Sequence, residues 1–122
     1  MKLVFLLSSL CAFSLSFADD TGSLLFNGNC ITCHKETKSV SAPSMVELRK
    51  VYKDAFSNKE DFVNYMSKWV ANPKRETSLM DKWIKKYELM PHLGFDEDTL
   101  REISAYIYET DFAKRGGRYW SH

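Results

Sequence analysis

The pentapeptide Cys30-Ile31-Thr32-Cys33-His34 limits what this chain can become more than any other feature of its 122 residues. Three chemistries use two cysteines at this spacing. A redox disulfide of the thioredoxin kind needs a β-α-β setting, and no alternating Val/Ile-rich strand occurs anywhere in the sequence. A zinc site needs four ligands. Cys30, Cys33 and His34 supply three, only His92 and His122 could add a histidine, and the adjacent Cys33 and His34 point in different directions. The third chemistry is covalent attachment of a c-type haem, whose signature is this pentapeptide. Two thiols one helical turn apart add to the two vinyl groups, and the histidine that follows lies under the iron as proximal ligand. The sequence favours this third reading, with one haem c held by Cys30, Cys33 and His34.

Residues 1–18 read as a segment removed before folding. Lys2 gives a positive start, Leu3 to Phe13 is an apolar run broken only by Ser8 and Ser9, and Ser16-Phe17-Ala18 ends it with small residues on either side of Phe17. This pattern predicts a secretory signal peptide cleaved after Ala18. The run is too short to span a hydrocarbon core, which takes about 20 apolar residues, so no stable membrane insertion is expected after cleavage. Cys11 leaves with the peptide, and Leu10 before it does not suit a lipoprotein signal. Loss of Lys2 leaves basic and acidic residues in equal number. That balance excludes a polybasic nucleic-acid binder and an acidic buffer protein. Residues 19–122 then form one exported domain with two cysteines, in a compartment that permits such thiol chemistry. A core of this size is marginal, and an internal cofactor would help it.

A sixth iron ligand is sought among Met45, Met66, Met80, Met90, His92 and His122. A methionine at helical spacing is usually core filler. Met66 belongs to the stripe Phe62, Tyr65, Met66 and Trp69, and Met80 to a stripe with Leu79, Trp83 and Ile84. Met90 differs because Pro91 follows it directly. The residue before a proline is pushed out of the helical region, so Met90 lies in an extended segment that can lay its thioether against iron opposite His34. His34 and Met90 are therefore the predicted metal ligands.

The rest of the chain reads as all-α. With 5 Gly and 3 Pro there is little material for many tight turns. A first helix capped by Asp19 or Asp20 runs to about Asn27 and packs through Gly22, Leu25 and Phe26. Lys35 to Ser44 is polar and turn-like. Met45 to Phe56 is a helix. Ser57-Asn58-Lys59-Glu60 has the pattern of a capping box and opens a helix from Lys59 to Ala71, which stops before Asn72-Pro73. Lys74 to Glu76 is a basic loop, and Ser78 opens another helix. Met90 to Phe95 is a loop, and Asp96-Glu97-Asp98 places negative charge where the dipole of a last helix favours it. That helix buries Leu100, Ile103, Tyr106 and Ile107. Residues 112–122 are expected to form a loose tail, with Gly116-Gly117 and no core for Tyr119 and Trp120 to join.

With these residues placed, the chain from about Gly22 to Tyr108 resembles the class I cytochromes c, especially the short bacterial periplasmic ones. In that family a glycine and an aromatic residue precede the first cysteine by eight and four positions, as Gly22 and Phe26 do here, and pack on the C-terminal helix. The family carries a proline soon after the haem motif whose carbonyl accepts the Nδ1 proton of the proximal histidine. Pro43 fits that position, with Ala42 where the family usually has glycine. Met90-Pro91 matches the family's methionine ligand. A tryptophan often donates to a haem propionate in this family, which makes Trp83, then Trp69, the candidates. The resemblance implies a cytochrome c-like helical fold around one covalent haem and a monomeric periplasmic electron carrier that is not itself an enzyme.

Such a carrier meets redox protein partners. From Lys68 to Lys86 six basic residues stand against two acids, and from Glu88 to Asp111 seven acids stand against Arg101 alone. The sign changes close to Met90, so the basic stretch is expected to meet an acidic patch on a partner. Two other readings remain at this level. One is a haem subunit held in a membrane-associated oxidase or reductase complex through the 112–122 tail. The other is a haem-based sensor in which a small ligand takes the place of Met90.

Overall fold

In a computed structural model of the chain, the described residues are 18–116, and they contain helices and no strand. The all-α expectation is met. The elements in chain order are α1 (Ala18–Asn29), α2 (Met45–Ala55), α3 (Lys59–Ala71), a 3-10 turn (Arg75–Thr77), α4 (Asp81–Tyr87), α5 (Glu97–Glu109) and α6 (Phe112–Gly116). Residues 1–17 of the expected signal peptide, together with Tyr119, Trp120 and His122, lie outside the described residues.

The fold is organised around α5, which packs on both α1 and α3. Its crossing with α1 depends on Gly22. A Cβ at that position would stand 2.8 Å from the Glu102 carbonyl oxygen and 2.8 Å from the Tyr106 Cβ. Only a residue without a side chain lets the two backbones approach this closely. One turn on, Phe26 is fully buried, with its ring centroid 5.4 Å from that of Tyr106. On the other side of α5, Leu100, Ile103 and Ile107 are buried together with Phe62, Val63 and Met66 of α3. Arg49 of α2 ties down the end of α5. Its Nε donates to the Ile107 carbonyl at 3.0 Å and its Nη2 to the Tyr108 carbonyl at 2.7 Å, two acceptors that the helix itself leaves unsatisfied.

Several boundaries depart from expectation. The first helix continues past Asn27 to Asn29 and leads directly into the cysteine motif, where the Cys30 N–H still donates to the Phe26 carbonyl at 2.8 Å. The capping box sits at Ser44–Glu47, not at Ser57–Glu60. α3 is capped instead by Asn58, whose side chain accepts from the Asp61 N–H at 2.9 Å. Two overlapping patterns competed there, and the amide one residue later is the acceptor that reaches an unsatisfied N–H. The helix expected from Ser78 begins at Asp81, because the Ser78 hydroxyl accepts from the Met80 N–H at 3.0 Å and holds a turn ahead of it. The basic segment at Lys74–Glu76 is partly a 3-10 turn. The largest correction concerns the tail. Phe112 opens α6 and is buried at 1% exposure, its centroid 5.4 Å from Phe26 and 6.1 Å from Tyr106. The sequence offers Phe112 no helical stripe, since α6 has five residues, and so gave no sign that it completes the α1–α5 core.

Candidate functional site

The loop from His34 to Ser44 is built from α1 outward and closed by α2. The His34 N–H donates to the Cys30 carbonyl at 2.9 Å, so the motif continues the turn of α1. Met45 N–H donates to the Lys35 carbonyl at 2.9 Å and Val46 N–H to the Glu36 carbonyl at 3.1 Å. These bonds employ amides that the start of α2 leaves without helical partners, so the helix end and the loop satisfy each other. Ser39 donates its hydroxyl to Glu47, and the Ser44 N–H donates back to Ser39 Oγ at 2.8 Å. The Ser39 hydroxyl is the main reason the Glu47 carboxyl sits below the usual glutamate range, with Ser44 adding to it.

This loop fixes the imidazole of His34. Nδ1 lies 2.9 Å from the carbonyl oxygen of Pro43. A carbonyl can only accept, so Nδ1 carries the proton and Nε2 keeps its lone pair. Burial is the larger influence on His34 and lowers its pKa, opposed by the bond to Pro43, so the ring is held neutral and able to ligate. Fixing one ring nitrogen through a backbone carbonyl is the usual way a metal-binding histidine is oriented. Burial, with Cys33 as a lesser cause, pushes the Cys30 thiol up to about 11, while Cys33 is exposed.

Cys30, Cys33, His34 and Pro43 all stand on the wall of one cleft. Its cavity volume is about 230 Å³, and the cleft is partly open to solvent. Its lining is mostly apolar and includes the buried residues Phe26, Met66, Leu100 and Ile103. Met90 and Pro91 line the same cleft, from the segment between α4 and α5. That segment is turned at both ends by left-handed backbone, at Glu88 (φ 70°, ψ 176°) and at Gly94 (φ 75°). Met90 is half-buried and outside any helix, as the Met90-Pro91 step predicts.

Met45, Met66 and Met80 also line the cleft, and each is buried as part of the core cluster. His92 is exposed and does not line it. Trp83 and Trp69 are both half-buried on the wall. The indole N–H of Trp69 donates to the Lys74 carbonyl at 3.0 Å and so has a backbone partner already. Sequence reasoning missed the Ser39–Ser44–Glu47 clamp, although Ser44 and Glu47 have the spacing of a capping box. It also gave no site role to Tyr52, a buried wall residue whose phenol is raised well above the ordinary tyrosine value, first by burial and then by Tyr65. Among the described residues no three His, Cys, Asp or Glu side chains gather into a metal-binding group.

No protein-family model, no curated protein and no solved structure matches this chain. The functional reading therefore stands on the chain's own residues and their geometry.

Proposed function

We propose that this chain is a periplasmic monohaem c-type cytochrome that carries single electrons between redox protein partners. One observation carries the reading: the Cys-x-x-Cys-His motif lies on the wall of an apolar cleft, and its histidine is oriented by a bond from Nδ1 to the Pro43 carbonyl at 2.9 Å. The residues present fit a haem. Cys30 and Cys33 would hold it covalently, His34 Nε2 and the Met90 sulfur would ligate its iron, and Trp83, whose side chain also hydrogen-bonds Glu47, is the wall tryptophan that would serve a propionate. Phe26, Leu100 and Ile103 would exclude water from one face. Bound haem supplies a one-electron iron couple, and His/Met ligation raises its potential. With His34 and Met90 both ligating the iron, the protein would pass electrons without acting as an enzyme.

Export and periplasmic location are supported by the pattern of residues 1–18. Among the described residues no helix is long and apolar enough to cross a membrane. The reading as a fixed subunit of an oxidase or reductase complex drew on a loose tail from Phe112, and burial of Phe112 removes part of that ground. A ligand sensor would need Met90 away from the iron, and Met90 lines the cleft.

Optical spectroscopy of the exported protein tests the ligand assignment. The oxidised form should show the weak long-wavelength band of a sulfur–iron bond. Met90→Ala should abolish that band and open the ferrous protein to carbon monoxide. Loss of the band in Met80→Ala, with Met90→Ala retaining it, would overturn the assignment.

A further inference from the structure

The C-terminal helix α6 reaches beyond the α1–α5 crossing to the loop that carries His34. Phe112 and Arg115, three residues apart, share a face of α6. Phe112 enters the core against Phe26, whose carbonyl accepts from the Cys30 N–H. Arg115 sits where α5, α6 and the loop meet. Its Nη1 donates to the Tyr106 hydroxyl, its guanidinium carbon is 5.9 Å from the centre of the Tyr106 ring, and its Nε is 3.5 Å from Glu36 Oε1. The Glu36 side chain is only 20% exposed and that of Arg115 36%, so the pair is more shielded from water than the ion pairs Lys50–Asp54 and Lys85–Asp81 on the surface. A partly desolvated pair of this kind loses more on removal of one partner than an exposed pair does. Glu36 lies two residues after His34, and its carbonyl accepts from the first turn of α2.

We propose that Arg115 is a positioning residue, and that α6 is a latch that holds the His34 loop in place through Glu36. The latch stands on these contacts alone, and its consequence for an iron ligated by His34 rests on the haem reading above. Tyr106 and Phe112 set the position of Arg115, Arg115 holds Glu36, and Glu36 restrains the loop between His34 and Pro43.

Amide hydrogen exchange on the full exported protein, with its reduction potential as a second readout, tests this. Arg115→Met should speed exchange across residues 35–44 about tenfold, equivalent to about 1.4 kcal/mol of local opening, with α3 unchanged and the potential shifted. Glu36→Gln should give a like effect in the loop, and the double variant should open it no further than either single change. Arg115→Lys, which keeps the charge and loses the fork to Tyr106, should restore part of the protection. If Arg115→Met does not fold, Glu36→Gln alone decides the matter. Unchanged loop exchange in Glu36→Gln, or opening confined to α6 in Arg115→Met, would overturn the latch. A protein without haem whose loop still opens in both variants would uphold the latch and refute the haem reading. A haem protein whose loop ignores both changes would do the reverse.

Discussion

Glu88 adopts φ 70° and ψ 176°, a region nearly reserved for glycine, immediately ahead of Leu89-Met90-Pro91. Holding a non-glycine residue there costs of order 1–3 kcal/mol, against the roughly 0.5–1 kcal/mol that glycine loses in chain entropy. Glu88→Gly should therefore leave the melting temperature unchanged or raise it, while Glu88→Val should lower it by several degrees. A large drop in Glu88→Gly would show that the side chain, not the backbone, is what matters. Asp96 supplies a second test at this scale. The Thr99 backbone N–H, followed by the Thr99 hydroxyl, holds its carboxyl below the ordinary aspartate range. A carboxyl lowered in the folded state stabilises the fold above its unfolded pKa, and that stability goes as pH falls through the folded value. Asp96→Ala should lower the melting temperature near neutrality. In acid the wild type should converge on the variant, because the protonated carboxyl no longer accepts these bonds as strongly. A difference that holds constant from neutral pH to below pH ~3 would contradict this.

At the level of elements the α1–α5 crossing is the most exacting contact. The carbonyl of Glu102 and the Cβ of Tyr106 belong to α5 itself and cannot swing aside from a methyl group at position 22. Overpacking of this kind costs about 1–3 kcal/mol, so Gly22→Ala should lower the melting temperature measurably, and an unchanged value would mean the helices do not meet as closely as described. Phe26→Ala removes a fully buried ring that contacts both Tyr106 and Phe112, and should cost about 3–5 kcal/mol. Chemical denaturation of the two variants checks both numbers. The packing face of α1 was legible in Gly22, Leu25 and Phe26, while its partner, the last helix, was expected only through the resemblance to the class I cytochromes c. The end of α3, and the extended Met90-Pro91 step, were legible through Asn72-Pro73 and Pro91, since proline constrains the residue before it. The choice of Ser44 over Ser57 for the capping box, the turn at Ser78 and the core role of Phe112 were not legible. The first two depend on which of several neighbouring polar side chains reaches a free N–H, and the third on a long-range contact with Phe26.

Across the whole molecule the charge order gives a consequence that the fold leaves open to solvent. Lys82, Lys85 and Lys86 are exposed on α4, and Met90 follows just beyond its end. Electron-transfer encounters bury little surface and must release quickly, so steering by charge serves them better than tight packing. Reversing Lys82, Lys85 and Lys86 to Glu should slow electron transfer to an acidic redox partner at low salt and leave the reduction potential nearly unchanged. Added salt should slow the native reaction, because screening limits these charges to about 8 Å at physiological ionic strength. A native rate that stays flat with salt, matched by an equally fast triple variant, would rule out this face. All such readings depend on one claim, that Cys30 and Cys33 carry a haem against His34. The most direct measurement is the intact mass of the protein recovered from the periplasm, before and after acid–acetone extraction. The account predicts a chain cleaved after Ala18, heavier by one haem that extraction does not remove, and unlabelled by thiol reagents. A mass equal to the polypeptide alone, or a haem that extracts into the acetone, would contradict it.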